Sequence, residues 1–326
     1  MKKNMLKIAI LAVICLFTAC SSTPSSPPFE HPDTDAPAPN LAPSVDEDIA
    51  KEMGVKRIIY HVGPVDLPAH TDVDVMLEKP MVMRFQTDEP VWVTGFSPRI
   101  VDANGSELPS DLLQLAVISN VNENSDLCSD AGGGNAFMAA SSVLSEVHLP
   151  DCFGYPILST DPIEAKVILK NESTESYVNV YFELELIAKP MDESTNMRDV
   201  KPVFVELDSC NHNTISVAPG QFSEHTVSYS IPYDGKVIHA SGILADYAAG
   251  VSLSAGGSPS PFWQATAVLD EDHKIVMLDG NPFEDISGVK ISDGEEITLD
   301  VSYDNFSDSW LAGATVGAMV YVAIDE

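Results

Sequence analysis

The 326-residue chain reads as an all-β protein: two tandem jelly-roll or β-sandwich domains behind an export leader and a disordered tether. Three observations carry that prediction. Strand-like runs follow one another from about Val55 onward with no helical period. Two runs alternate strictly. Val178, Val180, Phe182, Leu184 and Leu186 alternate with Asn179, Tyr181, Glu183 and Glu185; Ile297, Leu299, Val301 and Tyr303 alternate with Thr298, Asp300, Ser302 and Asp304. Successive strand side chains point to opposite faces, so a period of two marks a strand with one face buried and the other wet. Finally, turn pairs punctuate the text at Asn104-Gly105, Pro219-Gly220, Asp234-Gly235, Asp279-Gly280 and Asp293-Gly294, the pattern from which sandwiches and jelly rolls are built.

Taken in order, residues 1–19 have the parts of a secretory leader. Lys2, Lys3 and Lys7 supply the charge, and Ile8 to Phe17 is an apolar run too short to span a bilayer as a permanent helix. Phe17-Thr18-Ala19-Cys20, with Phe17 where Leu is usual, resembles the lipobox of bacterial lipoproteins. That resemblance implies lipidation of the Cys20 thiol and a mature chain beginning there. Ser21 in place of Asp, by the same resemblance, implies sorting to the outer membrane. Several acyl chains hold a protein on a membrane where one does not. Residues 20–48 form the tether. Ser21 to Asp48 holds seven prolines and six acids with no Lys or Arg, a composition that cannot build a core.

The first domain is expected over 49–190, with strands at Met81–Thr87, Val91–Phe96, Leu112–Ser119 and the long alternating run ending near Ala188. The polar run Lys189 to Lys201 marks the boundary. The second domain is expected over 191–326, with strands at Val203–Leu207, Thr226–Ile231, Lys236–Ala240, Phe262–Leu269, the second alternating run and Val316–Ile324.

Charge narrows the partners. The chain carries 49 acids against 17 Lys and Arg; losing the leader removes three lysines and no acid, deepening a net charge of −32 to −35. Such a field repels nucleic acid and anionic headgroups and favours solubility. Of the five cysteines, Cys15 leaves with the leader and Cys20 is the lipid site. Cys128 and Cys152, flanking a Gly/Ser/Ala-rich loop, are the preferred disulfide in an oxidising compartment, with a bridge to Cys210 as the alternative.

Several segments resemble copper type II, ascorbate-dependent monooxygenases, the fold of the peptidylglycine alpha-hydroxylating enzymes. In the first half these are Val91-Trp92-Val93-Thr94-Gly95-Phe96, Val101-Asp102-Ala103-Asn104-Gly105, Leu108-Pro109, Asp111-Leu112-Leu113, Leu149-Pro150, Gly154-Tyr155-Pro156 and Leu169-Lys170-Asn171. In the second they are Ile231-Pro232-Tyr233-Asp234-Gly235-Lys236-Val237, Ala240-Ser241-Gly242, Asp246-Tyr247 and Gly250-Val251-Ser252-Leu253. The resemblance implies two jelly rolls with one copper each, the first held by a His-His pair and a third His, the second by His-x-His and Met. Imidazole and thioether suit copper as borderline-to-soft donors. The His-His pair falls on Gln114 and Leu115, the third His on Lys170, the His-x-His on Ile243 and Ala245, and the Met near Val316. None is a good copper donor. A shifted register reaches His239 or Met319, but no His-His or His-x-His occurs anywhere. Copper is therefore not expected, and the chain reads as a scaffold that lost its metals.

Other chemistries find little support. There is no Gly-x-Ser-x-Gly, no clustered Cys or His for zinc, and Gly132-Gly133-Gly134 precedes no helix. Asp102-Ala103-Asn104-Gly105-Ser106-Glu107 and Asp270-Glu271-Asp272 place oxygen donors in turns and admit calcium, although Asp and Asn are also good turn formers. The expectation is a non-catalytic binding or structural module of the cell envelope, with a protein or glycan partner and an interdomain groove as its site. The alternatives are a divergent copper-dependent oxidoreductase and a cell-surface assembly protein.

Overall fold

The computed structural model describes residues 44–45, 54–69, 80–123, 134–143, 146–192, 195–207, 216–271, 273–312 and 317–324. Cys20 and the leader lie outside these, as do Cys128, Cys210 and Val316. The described residues belong to one compact unit, Thr34–Glu326, and are almost wholly strand. A single 3-10 turn at Ser110–Leu112 interrupts them, and none forms a helix long and apolar enough to cross a membrane.

The first half is a β sandwich. One layer orders β1 (Ser44–Val45), β2 (Lys56–Leu67), β10 (Tyr177–Pro190), β4 (Val91–Val101) and β8 (Phe153–Ile157), with β7 (Val147–His148) beside β4. The other orders β3 (Met81–Phe85), β9 (Ile163–Leu169), β5 (Leu113–Asn120) and β6 (Asn135–Ala140). Tyr60, Val62, Phe96, Phe182 and Leu184 face Ile118, Met138, Ala165 and Val167 across the core. Stacked Tyr60–Phe85 and Phe137–Tyr155 rings sit 3.9 and 4.7 Å apart. Full burial of such side chains is the main force holding two sheets together.

Two expectations need correcting here. The tether was expected to run free to residue 48, yet Ser44 and Val45 pair with Ile59 and Ile58 at the edge of β2. An edge strand's open N–H and C=O groups capture a passing extended segment. The long alternating strand β10 was expected to have one wet face. Val180, Phe182, Leu184 and Leu186 do face the core, but Glu183 and Glu185 on the other face are buried too, and Val178 is 65% exposed. Glu183 is held by His61 at 2.8 Å and by Arg99, and Glu185 by Arg57 at 2.9 Å. Burial alone would raise both carboxyls. At Glu183, hydrogen bonding and charge from His61 and Arg99 outweigh it and lower the pKa; at Glu185, burial outweighs Arg57 and the pKa is raised.

The second half is another sandwich. One layer comprises β11 (Arg198–Glu206), β21 (Gly317–Ile324), β14 (Gly235–Ile243) and β18 (Phe283–Ile291). The facing sheet orders β13 (Gln221–Ser230), β19 (Glu296–Asn305), β15 (Ala248–Ala255), β16 (Trp263–Leu269) and β17 (Ile275–Asp279). A short pair, β12 (Ser216–Val217) with β20 (Leu311–Ala312), lies apart. Val203, Val237, Leu244, Val251, Leu253, Leu299 and Tyr303 make its core. The glycine of Asp234-Gly235 serves packing more than turning: it opens β14, and a Cβ there would meet the Ala323 carbonyl at 2.3 Å. Gly294, at φ 81°, is a true turn glycine.

The two layers that carry β8 and β11 are one sheet. β8 pairs with β11 in parallel through Phe153↔Arg198 and Gly154↔Asp199, joining both halves into ten strands. As a result β21 is buried on both faces. Ala318, Val320 and Val322 enter the second core, while Met319, Tyr321 and Ala323 enter the first. Across the seam the buried Tyr321 hydroxyl donates to the Phe137 carbonyl at 2.9 Å.

Candidate functional site

Three strand ends carry most of the expected ligand positions. Gln114 and Leu115 open β5 opposite the end of β9, and the register slips between Leu113 and Leu115, so Gln114 is an inserted residue. Both are half-buried. Lys170 follows β9. Ile243 ends β14 and is buried; Ala245 is half-buried against the second core. Leu115, Ile243 and Ala245 offer no donor atom. The Lys170 ammonium is committed elsewhere: it lies 2.5 Å from Asp246 and 3.5 Å from Glu172, and Lys274 closes the group on Glu172 at 2.7 Å. Burial would raise the Glu172 carboxyl, but the Lys274 hydrogen bond and the charges of Lys170 and Lys274 lower it. Burial would lower Lys274, but Glu172 and the neighbouring acids raise it. Lys170 presents protons, Leu115, Ile243 and Ala245 present methyl groups, and the Gln114 amide oxygen is a hard donor, so the residues at these positions do not fit copper. Lys170 instead joins Glu172, Asp246 and Lys274 in an ion-pair network between the first half and the second. Sequence reasoning placed Lys170 among its sites but not Glu172, Asp246 or Lys274; the Lys170–Asp246 pair joins residues 76 apart in the chain.

The face of β14 turned toward the first half carries His239, Ser241 and Ile243, opposite Tyr321, Met319 and Gly317. His239 is wholly buried and neither ring nitrogen has a hydrogen-bond partner; the buried Ser241 and Ser141 hydroxyls are likewise unpartnered. Burial, with a smaller contribution from His148, drives the His239 pKa from 6.5 to about 4. Glu284 does not reverse this, because its carboxylate is 4.0 Å away and more than half exposed.

Ser241 also lines a cleft of about 310 Å³ at the seam. Val143 and Glu146 come from the segment after β6, Trp263 from β16, Met277 and Leu278 from β17, and Gly280, Asn281 and Pro282 from the following turn. Gly242 lets the indole lie against β14, since a Cβ there would stand 2.8 Å from Trp263 Cη2. The indole N–H donates to the Asn281 carbonyl at 2.9 Å, which fixes the ring. An apolar wall, one carboxylate at the rim and a buried hydroxyl without a partner are the features of a small-molecule pocket. The sequence singled out a groove between the halves; Trp263, Glu146 and Ser241 were not among its site candidates, although Ser241 lies in the Ala240-Ser241-Gly242 segment quoted for the resemblance.

The remaining expected sites are accounted for locally. The Asp102 carboxylate accepts the Asn104 and Ser106 amides at 2.8 and 2.9 Å, an Asx turn. Asp270 accepts the Lys274 amide at 2.8 Å. Among the described residues no three His, Cys, Asp or Glu side chains are grouped to hold a metal ion. Cys152 sits at φ 70°; Cys128 and Cys210 lie outside the described residues, so the Cys128–Cys152 disulfide remains a proposal.

Neither a family model nor a curated protein matches the chain. Among solved structures it is similar to the major capsid protein P2 of bacteriophage PM2, at 10% identity and a TM-score of 0.32, over 82% of this chain and 98% of that one. It is also similar to PNGF-II, at 9% identity and a TM-score of 0.38, over 84% and 67%. The Macrobrachium rosenbergii nodavirus structure is similar at 10% identity and a TM-score of 0.20, over 96% and 98%.

Proposed function

We propose that this chain is an outer-membrane lipoprotein, anchored through Cys20, whose β-sandwich scaffold binds a small ligand in the seam cleft and catalyses no reaction. The observation that carries this reading is Ser241, a residue 2% exposed with an unpartnered buried hydroxyl, among the residues that line a cleft of about 310 Å³. A buried hydroxyl left without a partner costs about 1–3 kcal/mol, a cost that an acceptor on a bound molecule removes. Calcium at the acidic turns is compatible with this reading.

A divergent copper-dependent oxidoreductase is the competing reading. It draws on His239, with both ring nitrogens free of hydrogen bonds, and on Met319 on the same face of the neighbouring strand. An assembly role draws on exposed Ile286, Phe306 and Trp310. One experiment separates the first two. Soluble protein beginning at Ser21 is loaded with Cu(I), Cu(II) and Ca²⁺, desalted and measured for metal by mass spectrometry. The same protein is screened by thermal shift against small amphipathic compounds. Hits that stabilise the wild type but neither Ser241→Ala nor Val143→Trp support the cleft. Near-stoichiometric copper overturns the non-catalytic reading.

A further inference from the structure

The outer face of the five-stranded sheet carries a second recess, unrelated to the seam. Antiparallel register aligns two rungs across β13, β19, β15 and β16. One is Thr226, Asp300, Ser252 and Gln264; the next is Glu224, Ser302, Gly250 and Thr266. The alternate residues Val251, Val301 and Ala265 point into the second core, so the rungs face outward. The recess they enclose is about 380 Å³. Its floor is low at Gly250, where an added Cβ would lie 3.5 Å from the Ser302 hydroxyl and 3.3 Å from the Ala265 carbonyl. Short Ser side chains flank that point. Glu224 and Thr226 rise on one side, Gln264 and Thr266 on the other, roughly 14 Å apart at three strand spacings.

The lining chemistry selects the ligand. Among the described residues no Lys or Arg lines the recess. The one imidazole beside it, His225, lies in register with inward-facing Val301, against Tyr303 and bonded to Ser223, so an anion finds two carboxylates and no fixed counter-charge on the rungs. Its rung side chains are hydroxyls, carboxylates and one amide, so an aliphatic body finds no apolar wall. Ser252, Ser302, Thr266 and Gln264 donate as well as accept, so a ligand that does both can use all of their groups, whereas an ammonium, which only donates, leaves their donors unused. A single ion is far smaller than the recess, and Asp300 is already engaged by the Thr226 hydroxyl at 2.5 Å. Sugar hydroxyls both donate and accept, and carboxylates and amides at this spacing pair with them.

We infer that this trough is a binding site for a neutral glycan chain, lying across β13, β19, β15 and β16 over Gly250. The test is isothermal titration of soluble protein with cellohexaose, laminarihexaose, chitohexaose and mannohexaose, with polylysine and CaCl₂ as competitors of other chemistry. At least one neutral hexasaccharide is expected to bind. Gly250→Leu, which fills the floor, should weaken that binding at least tenfold. So should the double variant Asp300→Asn with Gln264→Ala, which leaves the backbone untouched and guards against misfolding of the first. Circular dichroism and thermal melting check that each variant is folded. Absence of binding by all four sugars, binding of polylysine alone, abolition of sugar binding by EDTA, or sugar binding unchanged in both folded variants would each overturn the inference.

Discussion

Acidification should unlock the seam through His239. The ring is wholly buried on β14, facing Tyr321 on β21, with Glu284 of β18 at 4.0 Å and His148 approaching from the first half. Burial lowers its pKa from 6.5 to about 4. The sign follows from proton counting. Between those two values the unfolded chain carries the proton and the folded chain does not, so unfolding takes up a proton and falling pH favours it. The contribution to stability is intact above pH 6.5, declines as pH falls, and levels out below about 4. At 1.36 kcal/mol per unit, the full span is worth about 3 kcal/mol, of which about 2.5 is spent by pH 4.5. Many carboxylates titrate over the same window, so the informative quantity is a difference. Urea unfolding of wild type and His239→Leu at pH 7, 5.5 and 4.5 should show the wild type losing about 2–2.5 kcal/mol more than the variant on going from pH 7 to 4.5. Parallel pH profiles would show that the ring is solvated or paired, and would refute the reasoning.

Four further outcomes are expected. Ser241→Ala should raise the stability of the ligand-free protein by about 1 kcal/mol, because it removes an unpaired buried hydroxyl; denaturant midpoints measure it. Lys170→Met should destabilise by about 1–2 kcal/mol through the partly exposed Asp246 and Glu172 pairs, with the loss reduced in high salt. Tyr321→Phe strands the buried Phe137 carbonyl and should cost about 1–3 kcal/mol, read as a lower melting temperature. Cys20→Ala should move the protein from the membrane pellet to the soluble fraction and abolish incorporation of labelled palmitate; pelleting and labelling as in wild type would remove the lipid anchor from the proposal.

The strands were legible from the sequence because alternation is local. Ile297 to Tyr303 point alternately in and out within β19, and the expected strands at Met81, Val91, Leu112 and Phe262 start within a residue of β3, β4, β5 and β16. Boundaries drifted where a strand continued through polar or glycine-containing text: β4 runs on to Val101, and β11 starts at Arg198 rather than Val203. In β10 the pattern was right about the inner face from Val180 to Leu186 and wrong about the outer face at Glu183 and Glu185. Nothing in Glu183's neighbourhood along the chain announces His61, 122 residues away.

What the sequence determined by itself was the class of structure and the lack of any His-His or His-x-His pair, since both depend on residue identity and short spacing. The expectations of export and lipidation rest there too. Tertiary structure alone decided that β8 and β11 weld the halves into one sheet and that β21 is buried twice. It also decided that Ser241 walls a cleft and that Gly250 aligns with Asp300 and Gln264. Each of these is a matter of which strands pair and in what register. Register is selected by the summed burial of two sheet faces, a sum over residues far apart in the chain that no local window contains.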